Sequence, residues 1–207
     1  NIRKNFCDWY INYNTTERKN KLKLKKESKS LLGIKNLICN EIYNLKKNTK
    51  TKTKNSIFVN MGFADKNNFT FKILEILKKQ RFKNFKIKVF SRKKFLFKKY
   101  KKYKNIAFFF KPKKNLKNIY FNSKLILSSA GMSMYEQILC MSNSIFFPQN
   151  FSQEKICQNL NKLNLINYEK KFENFNELKI EKYLSQKKPK KKLKENNKKV
   201  AKIILTI

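Results

Sequence analysis

A short turn rich in small residues, Ser128 to Ser133, has the composition of a phosphate-binding loop. It follows the apolar run Leu125 to Leu127 and precedes a helical pattern, which predicts a strand, a turn and a helix. The first backbone N–H groups of such a helix have no intrahelical partner, and Gly131 permits close approach of a ligand. Glu136 lies one helical turn further on. A phosphate-binding loop with a carboxylate beside it predicts a nucleotide or nucleotide-sugar site, in which the carboxylate binds ribose hydroxyls.

The same pattern also has a purely structural interpretation. A strand, a turn of small residues and a helix occur throughout α/β proteins, and Glu in an early helical turn is favoured by the helix dipole whatever the function. Parallel sheets do, however, bind ligands at the carboxyl ends of their strands. The pattern alone therefore leaves two roles open for Glu136, a ribose contact or a dipole contact.

Predicted strands and helices alternate on both sides of this turn. Apolar runs predict the strands, and apolar residues at helical spacing predict the helices. The strand segments are 57–61, 85–90, 106–110, 125–129 and 144–147; the helical segments are about 68–79, 153–164, 175–184 and 196–205, with a short helix near Tyr120 and a basic helix or loop at 92–104. This alternation predicts an α/β fold, with a Rossmann-like parallel sheet covered by helices on both faces.

A polar, low-complexity stretch at 46–55 predicts a domain boundary. Before it, Asp8 to Tyr13 is strand-like, 15–30 is rich in Lys with little to bury, and Leu31 to Ile34 is a short apolar piece. We predict that residues 1–50 are the remnant of an N-terminal domain with its linker, and that 51–207 form the domain that carries the site. Because the chain begins with Asn rather than Met, we expect it to be part of a longer product.

The chain is strongly basic, with 51 Lys and Arg against 13 Asp and Glu and a formal net charge of +38. Such a charge normally indicates a nucleic-acid partner. The excess is nearly all Lys, spread over every segment and accompanied by abundant Asn, Ile and Phe, which favours a genome rich in A/T codons and solvated lysine surfaces. We expect weak, non-specific polyanion binding from the charge alone. A nucleic-acid- or ribosome-associated role remains the alternative function, with Lys and aromatic residues interleaved at 98–110.

Cysteine and histidine usage argues against a zinc site. No cysteine pair has CxxC spacing, and the sequence contains no His; the cysteines are Cys7, Cys39, Cys140 and Cys157. We expect reduced, mostly buried thiols in a cytoplasmic protein, and neither a metal nor a cofactor. The longest apolar runs are far shorter than the ~20 residues that span a bilayer, so no transmembrane segment is predicted.

Two longer stretches resemble nucleotide-sugar enzymes of the GT-B type. Ser56 to Leu77 resembles the strand, glycine loop and helix that open their C-terminal domain, and Leu127 to Leu160 resembles their second signature, SAGGSTxWE followed by a strand and ENQ. Leu31 to Lys35 and Lys198 to Leu205 resemble segments of the UDP-sugar hydrolases of pseudaminic acid synthesis. The transferases that add N-acetylglucosamine to the peptidoglycan lipid precursor are more distantly similar. These motifs occur in collinear order along most of the chain.

The resemblance implies a UDP-sugar as ligand and assigns roles to particular residues. The diphosphate would lie against Gly131, Met132 and Ser133, at the turn and the start of the following helix. The ribose hydroxyls would donate to the carboxylate of Glu136 on that helix. Gln153 would line the sugar side, and Gly62 and Asp65 in the first loop would face the cleft between two domains.

The chain also departs from the family pattern. Phe63 and Met132 replace glycines, which would narrow the approach to the phosphates, and Phe151 and Ser152 replace an acidic residue and Asn. In this family the catalytic base resembles a His on a loop of the N-terminal domain, and no His is present here. The chemistry would therefore need a missing N-terminal domain, and the 207-residue chain alone is expected to be inactive. A decayed gene product that keeps the fold without activity is a third possibility.

Overall fold

A computed structural model of the chain describes residues 9–13, 29–43, 55–111, 116–186, 193 and 196–205. Its main sheet has six parallel strands in the order β5-β4-β3-β6-β7-β8. These strands are β3 (Ser56–Asn60), β4 (Lys86–Phe90), β5 (Ile106–Phe109), β6 (Leu125–Ser129), β7 (Ser144–Phe147) and β8 (Asn167–Tyr168). The predicted Rossmann-like α/β fold is thereby confirmed.

Helices connect the strands and cover both faces of the sheet. Their bounds are α1 (Phe69–Leu77), α2 (Lys94–Tyr100), α3 (Lys117–Asn122), α4 (Ser133–Leu139), α5 (Phe151–Lys162), α6 (Glu177–Ser185) and α7 (Asn197–Leu205). Helices α5 and α6 begin where an asparagine caps them: the Asn150 side chain accepts from Gln153 N, and the Asn176 side chain accepts from Lys179 N. The capping residues therefore explain why α5 begins at Phe151, before the predicted 153, and α6 at Glu177, after the predicted 175.

Each predicted strand lies within a residue or two of an observed one, and β8 was missed. Strand β8 has only two residues and pairs with β7 at the edge of the sheet. Its residues Asn167 and Tyr168 follow the buried pair Leu165 and Ile166, whose apolar signal is too short for a strand prediction. The basic segment 92–104, left open between a helix and a loop, contains α2.

The core consists of two layers, one on each face of the sheet. Along β3, Ile57 and Val59 pack on the side of α1, α2 and α6, whereas Phe58 packs on the side of α3, α4 and α5. All five residues of β3 are buried, as expected for the central strand of a parallel sheet. Burial of each of the apolar side chains Ile57, Phe58 and Val59 contributes roughly 1.5–3 kcal/mol to the free energy of unfolding.

The chain reverses its direction of travel across the sheet between β3 and β6. From β3 it proceeds outward to β4 and β5, then returns through α3 to place β6 on the other side of β3. The register pairs Asn60 with Ser128, so both strands end at the same level. The loops that follow them therefore separate around one crevice, which is the topological switch point where α/β sheets bind ligands.

A separate pair of strands precedes the main sheet. Strands β1 (Trp9–Asn12) and β2 (Lys29–Leu32) are parallel, and 3-10 turns follow at Ile34–Asn36 and Glu41–Tyr43. The start of α7 binds this segment: Asn197 Nδ2 donates to Cys39 O at 2.7 Å, and Asn197 Oδ1 accepts from Cys39 N at 3.1 Å. The boundary predicted at 46–55 lies almost wholly outside the described residues.

Three of the four cysteines lie in the described residues. Cys39, Cys140 and Cys157 form no disulfide with one another, and the last two are buried; burial raises the pKa of Cys157 to about 12. Among the described residues, no three His, Cys, Asp or Glu side chains form a group that could hold a metal ion. No helix in the same part of the chain is long and apolar enough to cross a membrane.

Candidate functional site

A cleft of about 720 Å³ opens at the carboxyl ends of β3 and β6, at the switch point. The two strands and β7 each contribute the loop that follows them, and β4 contributes Phe90. The lining residues are 60–66, Phe90, Ser129, 131–133, Gln149, Asn150 and Gln153. Loops from distant parts of the sequence therefore enclose one space of the size that ligand sites usually have.

The structure brings nearly all of the predicted site residues to this cleft. Those that line it come from the loops after β3 and β6 and from the starts of α4 and α5; they are Gly62, Asp65, Gly131, Met132, Ser133 and Gln153. Glu136 is the exception among the predicted residues, because it does not line the cleft. The two glycine loops and the start of α5 thus face one another, and their roles in binding stay a prediction.

The floor of the cleft is formed where the first two loops meet at Ser129. Gly62 has φ +77°, and a Cβ at that position would lie 3.1 Å from Ser129 Oγ. A side chain at 62 would therefore be strained both by the backbone and by the neighbouring hydroxyl. A Cβ at Gly131 would lie at an ordinary 3.8 Å from the same oxygen. Gly62 is therefore required for the close approach of the two loops, whereas a Cβ at Gly131 would make only an ordinary contact.

The loop after β7 is fixed to the loop after β3 by Gln149. Its Nε2 donates to Met61 O at 2.7 Å, and its backbone N donates to Gln153 Oε1 at 2.8 Å. Gln153 N in turn donates to Asn150 Oδ1 at 2.9 Å. Gln153 Nε2 has no hydrogen-bond partner among the described residues, which leaves an amide donor for a ligand.

Asp65 lines the cleft, but its carboxylate caps the amino-terminal end of α1. Oδ1 accepts from Phe69 N at 2.8 Å and Oδ2 accepts from Thr70 N at 3.1 Å, which satisfies the first amides of the helix. The side chain is buried, and Lys93 Nζ lies 3.9 Å from Oδ2. Asp65 is therefore a capping residue whose oxygens already have partners.

Phe63 and Met132 stand where the motifs that the chain resembles have glycines, and both lie at the open rim of the cleft. Phe63 is 65% exposed and Met132 is 66% exposed, so neither side chain fills the floor. The guanidinium of Arg92 lies 3.8 Å from the centre of the Phe63 ring, and Tyr13 donates to Met132 Sδ at 3.3 Å. The narrowing predicted from these replacements therefore concerns the rim and not the floor.

The charges around the cleft favour an anionic ligand. Lys66 lines it, Arg92 stacks on Phe63 at the rim, and Lys93 Nζ donates to Asp65 O at 2.8 Å. Among the described residues that line the cleft, Asp65 is the only one with a carboxylate, and this carboxylate is buried against backbone amides. A phosphate in this space would meet more positive than negative charge.

Glu136 lies on α4 in contact with two buried tyrosines. Its carboxylate accepts from the Tyr120 hydroxyl at 3.1 Å and from the Tyr43 hydroxyl. Burial raises the pKa of Glu136, and the two hydroxyls offset part of that rise. Burial and then Glu136 raise the pKa of Tyr43 to about 12. The carboxylate thus joins the segment 29–43 to the main domain, and the ribose contact stays a prediction.

Several lining residues were not predicted from the sequence. Asn60 ends β3, where its Oδ1 accepts from Gly62 N at 3.1 Å, and Gln149 and Asn150 follow β7. Each is a polar side chain at or shortly after the end of a buried strand. The sequence contains this signal, because a polar residue there follows a run of apolar residues. The stacking of Arg92 on Phe63 had no such signal, because it joins loops after two different strands.

Comparison of the chain with protein-family models and with curated proteins finds no match. The resemblance to GT-B enzymes therefore rests on the quoted sequence motifs alone.

We expect Asp65→Ala to destabilise the protein more than Asn176→Ala. Asp65 is buried and accepts two amides of α1, whereas Asn176 is exposed and accepts one amide of α6 at 3.2 Å. Loss of a cap costs about 0.5–2 kcal/mol, and Asp65→Ala should lie at or above the upper end because it leaves buried amides unpaired. Urea denaturation of both variants measures the difference. Equal losses would contradict the assignment of Asp65 as the main cap.

We expect Glu136→Gln to remove a pH dependence of stability. The folded protein holds the Glu136 proton more tightly than the unfolded chain, because burial raises its pKa. Its contribution is therefore fully present below the ordinary pKa of 4.5 and is lost as the pH rises through the raised value. The free energy of unfolding of the wild type relative to Glu136→Gln should fall between about pH 4 and about pH 8.

Denaturation at both pH values with an exposed-site control tests this expectation. Glu173→Gln removes the same charge at an exposed position, and it should give no comparable change relative to the wild type. A difference for Glu136→Gln that stays constant with pH would show that the carboxyl titrates alike in the folded and unfolded states.

Proposed function

We propose that the chain binds a UDP-sugar in this cleft, as the nucleotide-binding portion of a GT-B-type enzyme. The enzyme would be a UDP-sugar hydrolase of pseudaminic-acid-type sugar synthesis or a related glycosyltransferase. The observation that supports the proposal is the meeting of two motifs, at Gly62 and at Gly131, in one cleft at the switch point of the sheet. The resemblance assigns both motifs to the nucleotide-sugar site, and the turn at Gly131 also has the composition of a phosphate-binding loop.

The size and the chemistry of the cleft suit a nucleotide diphosphate. Its volume of about 720 Å³ lies within the usual range for small-molecule sites. Gly131 adds no side chain to the lining, and Ser129 and Ser133 add hydroxyl groups to it. Gln153 Nε2, on the wall formed by α5, is available to a sugar hydroxyl.

The same residues support binding without catalysis. A hydrolase or transferase needs a group that takes a proton from water or from the acceptor. The sequence has no His, the carboxylate of Asp65 is occupied by backbone amides, and Glu136 does not line the cleft. The proposal therefore includes an N-terminal catalytic domain that supplies the base and the second wall of the cleft.

We expect Gln153→Ala to weaken the binding of UDP-N-acetylglucosamine by about two- to tenfold, the effect of losing one net hydrogen bond. Binding of UDP alone should change less, because the glutamine is assigned to the sugar side. Gln158→Ala is the matched control: it lies on the same helix, where its side chain donates to Glu154 at 3.0 Å, and it is not in the cleft lining. Titration calorimetry of both variants gives the comparison.

For this proposal to stand, Gln158→Ala must bind UDP-N-acetylglucosamine with the affinity of the wild type. Failure of the wild-type chain to bind either UDP or UDP-N-acetylglucosamine would contradict the proposed ligand class. A Glu136→Gln variant in the same titration distinguishes its two roles. A loss of one to two decades in UDP affinity would support a ribose contact, whereas unchanged affinity would support the tyrosine contacts alone.

We expect no turnover of UDP-amino-sugars by the 207-residue chain. The described residues of the cleft position no free base, and its rim is open, so water is not excluded from the reacting carbon. The measurement is release of UDP from a panel of UDP-amino-sugars. A rate on the order of 1 per second would contradict the assignment of the chemistry to another domain.

A further inference from the structure

Three phenylalanine rings are grouped at the outer edge of the main sheet. Phe108 and Phe110 are parallel, with ring centres 6.2 Å apart and an angle of 12° between the planes. Phe97 of α2 meets both rings edge-on, at 6.0 Å and 5.7 Å. Phe97 is 44% exposed and Phe110 is 37% exposed. These rings pack on one another but remain partly open to solvent.

The position of β5 explains the exposure. In the described part of the chain β5 pairs only with β4, so it is an edge strand of that sheet. Helix α2 has seven residues and buries Leu96 and Tyr100 but not Phe97. A purely structural interpretation of the interleaved pattern at 98–110 would place its aromatic residues in the core. The structure buries Tyr100, but it leaves Phe110 exposed.

Lysines flank these rings without nearby acidic residues. Lys94 and Lys101 lie one helical turn before and after Phe97, on the same side of the helix, and both are exposed. The whole segment 91–111 contains no Asp or Glu. In the described part of the chain, neither Lys94 nor Lys101 has a carboxylate within salt-bridge distance, whereas Lys99 lies 3.6 Å from Glu75. We call Phe97, Phe108, Phe110, Lys94 and Lys101 the aromatic-basic surface.

The charge of the chain decides which partner this surface fits. An open strand edge with exposed rings would otherwise suit a second copy of the chain. Two copies would bring together surfaces of the same sign in a protein of formal net charge +38, and β5 is short and is flanked by Lys104 and Lys111. A polyanion is therefore favoured over self-association.

We propose that the aromatic-basic surface binds single-stranded nucleic acid, RNA or DNA. The phosphates would bind Lys94 and Lys101, and one or two bases would stack on Phe97 and Phe110. Unpaired bases present the flat faces that such stacking needs, whereas the bases of a duplex are already stacked on one another. Interleaved aromatic and cationic side chains are the usual elements of surfaces that bind single strands without sequence preference. The surface and the cleft share no residue.

The test measures binding of labelled oligo-dT and oligo-U, about 12 nucleotides long, to the full chain by fluorescence anisotropy. We expect Phe97→Ala with Phe110→Ala to weaken binding by about five- to thirtyfold. Phe97→Leu keeps an apolar side chain for packing but removes the ring face, so it should weaken binding even where the double variant fails to fold. Phe151→Ala is the matched control, because Phe151 is 69% exposed and carries Lys155 4.3 Å from its ring centre.

A second pair of variants tests the phosphate contacts. Lys94→Ala with Lys101→Ala should reduce the magnitude of the log-log salt slope by about 1.4, because each phosphate contact to a single strand contributes about 0.7. Lys162→Ala with Lys182→Ala removes the same charge from exposed positions on α5 and α6 and should leave the slope unchanged. Excess UDP should not displace the oligonucleotide, since the proposed nucleotide cleft lies elsewhere.

Three results would overturn the proposal. Equal binding of the oligonucleotide by Phe97→Leu and the wild type would show that no base stacks on Phe97. Equal affinity for a duplex of the same length, or for heparin at equal charge, would reduce the interaction to net charge alone. Binding to vesicles of anionic lipid that depends on Phe97, together with nucleic-acid binding that does not, would assign the surface to a membrane.

Discussion

The parallel pairing of β3 with β6 is the constraint on which the candidate site depends. Its register places Asn60 beside Ser128, so that the two following loops diverge from one level of the sheet. Gly62 and Ser129 then approach so closely that a methyl group at 62 would meet the serine hydroxyl at 3.1 Å. A shift of register by one residue would turn the apolar side chains of β6 to the opposite faces and would separate these loops. The core and the cleft are thus specified by the same pairing.

The polar residues around the cleft divide into those that hold the loops and those that remain for a ligand. Asp65 caps α1, Asn150 caps α5, and Gln149 joins two loops through Met61 O. Their hydrogen bonds fix the walls before any ligand arrives, which lowers the entropy cost of binding. The Nε2 of Gln153 takes no part in this network among the described residues, and it is left as a hydrogen-bond donor. A site with fixed walls and few free polar groups suits recognition better than proton transfer.

The sequence predicted the sheet, but it gave no signal for the protein contacts of the Glu136 carboxylate, for a physical reason. Strand positions follow from local apolar runs such as Leu125 to Leu127, and loop positions follow from glycines. The partners of Glu136 are Tyr43 and Tyr120, which lie far from it in sequence and meet it only through tertiary packing. The two-residue strand β8 was missed because its pairing with β7 gives no local pattern. Contacts that are decided by non-local packing leave no local pattern from which they could be predicted.

The placement of the few acidic residues, more than the number of lysines, determines which basic surfaces remain available. Glu75 on α1 pairs with Lys78, and Glu177 and Glu181 on α6 pair with Lys79 and Arg81. On the other side of the sheet, Glu154 pairs with Lys170. These pairs neutralise parts of α1, α5 and α6 locally, whereas α2 carries no acidic residue of its own. A bias towards A/T-rich codons would raise the numbers of both lysine and phenylalanine everywhere, but it would not by itself group three contacting rings at one sheet edge where carboxylates are absent. The coincidence of both features at Phe97 is what distinguishes that surface from the rest of a basic protein.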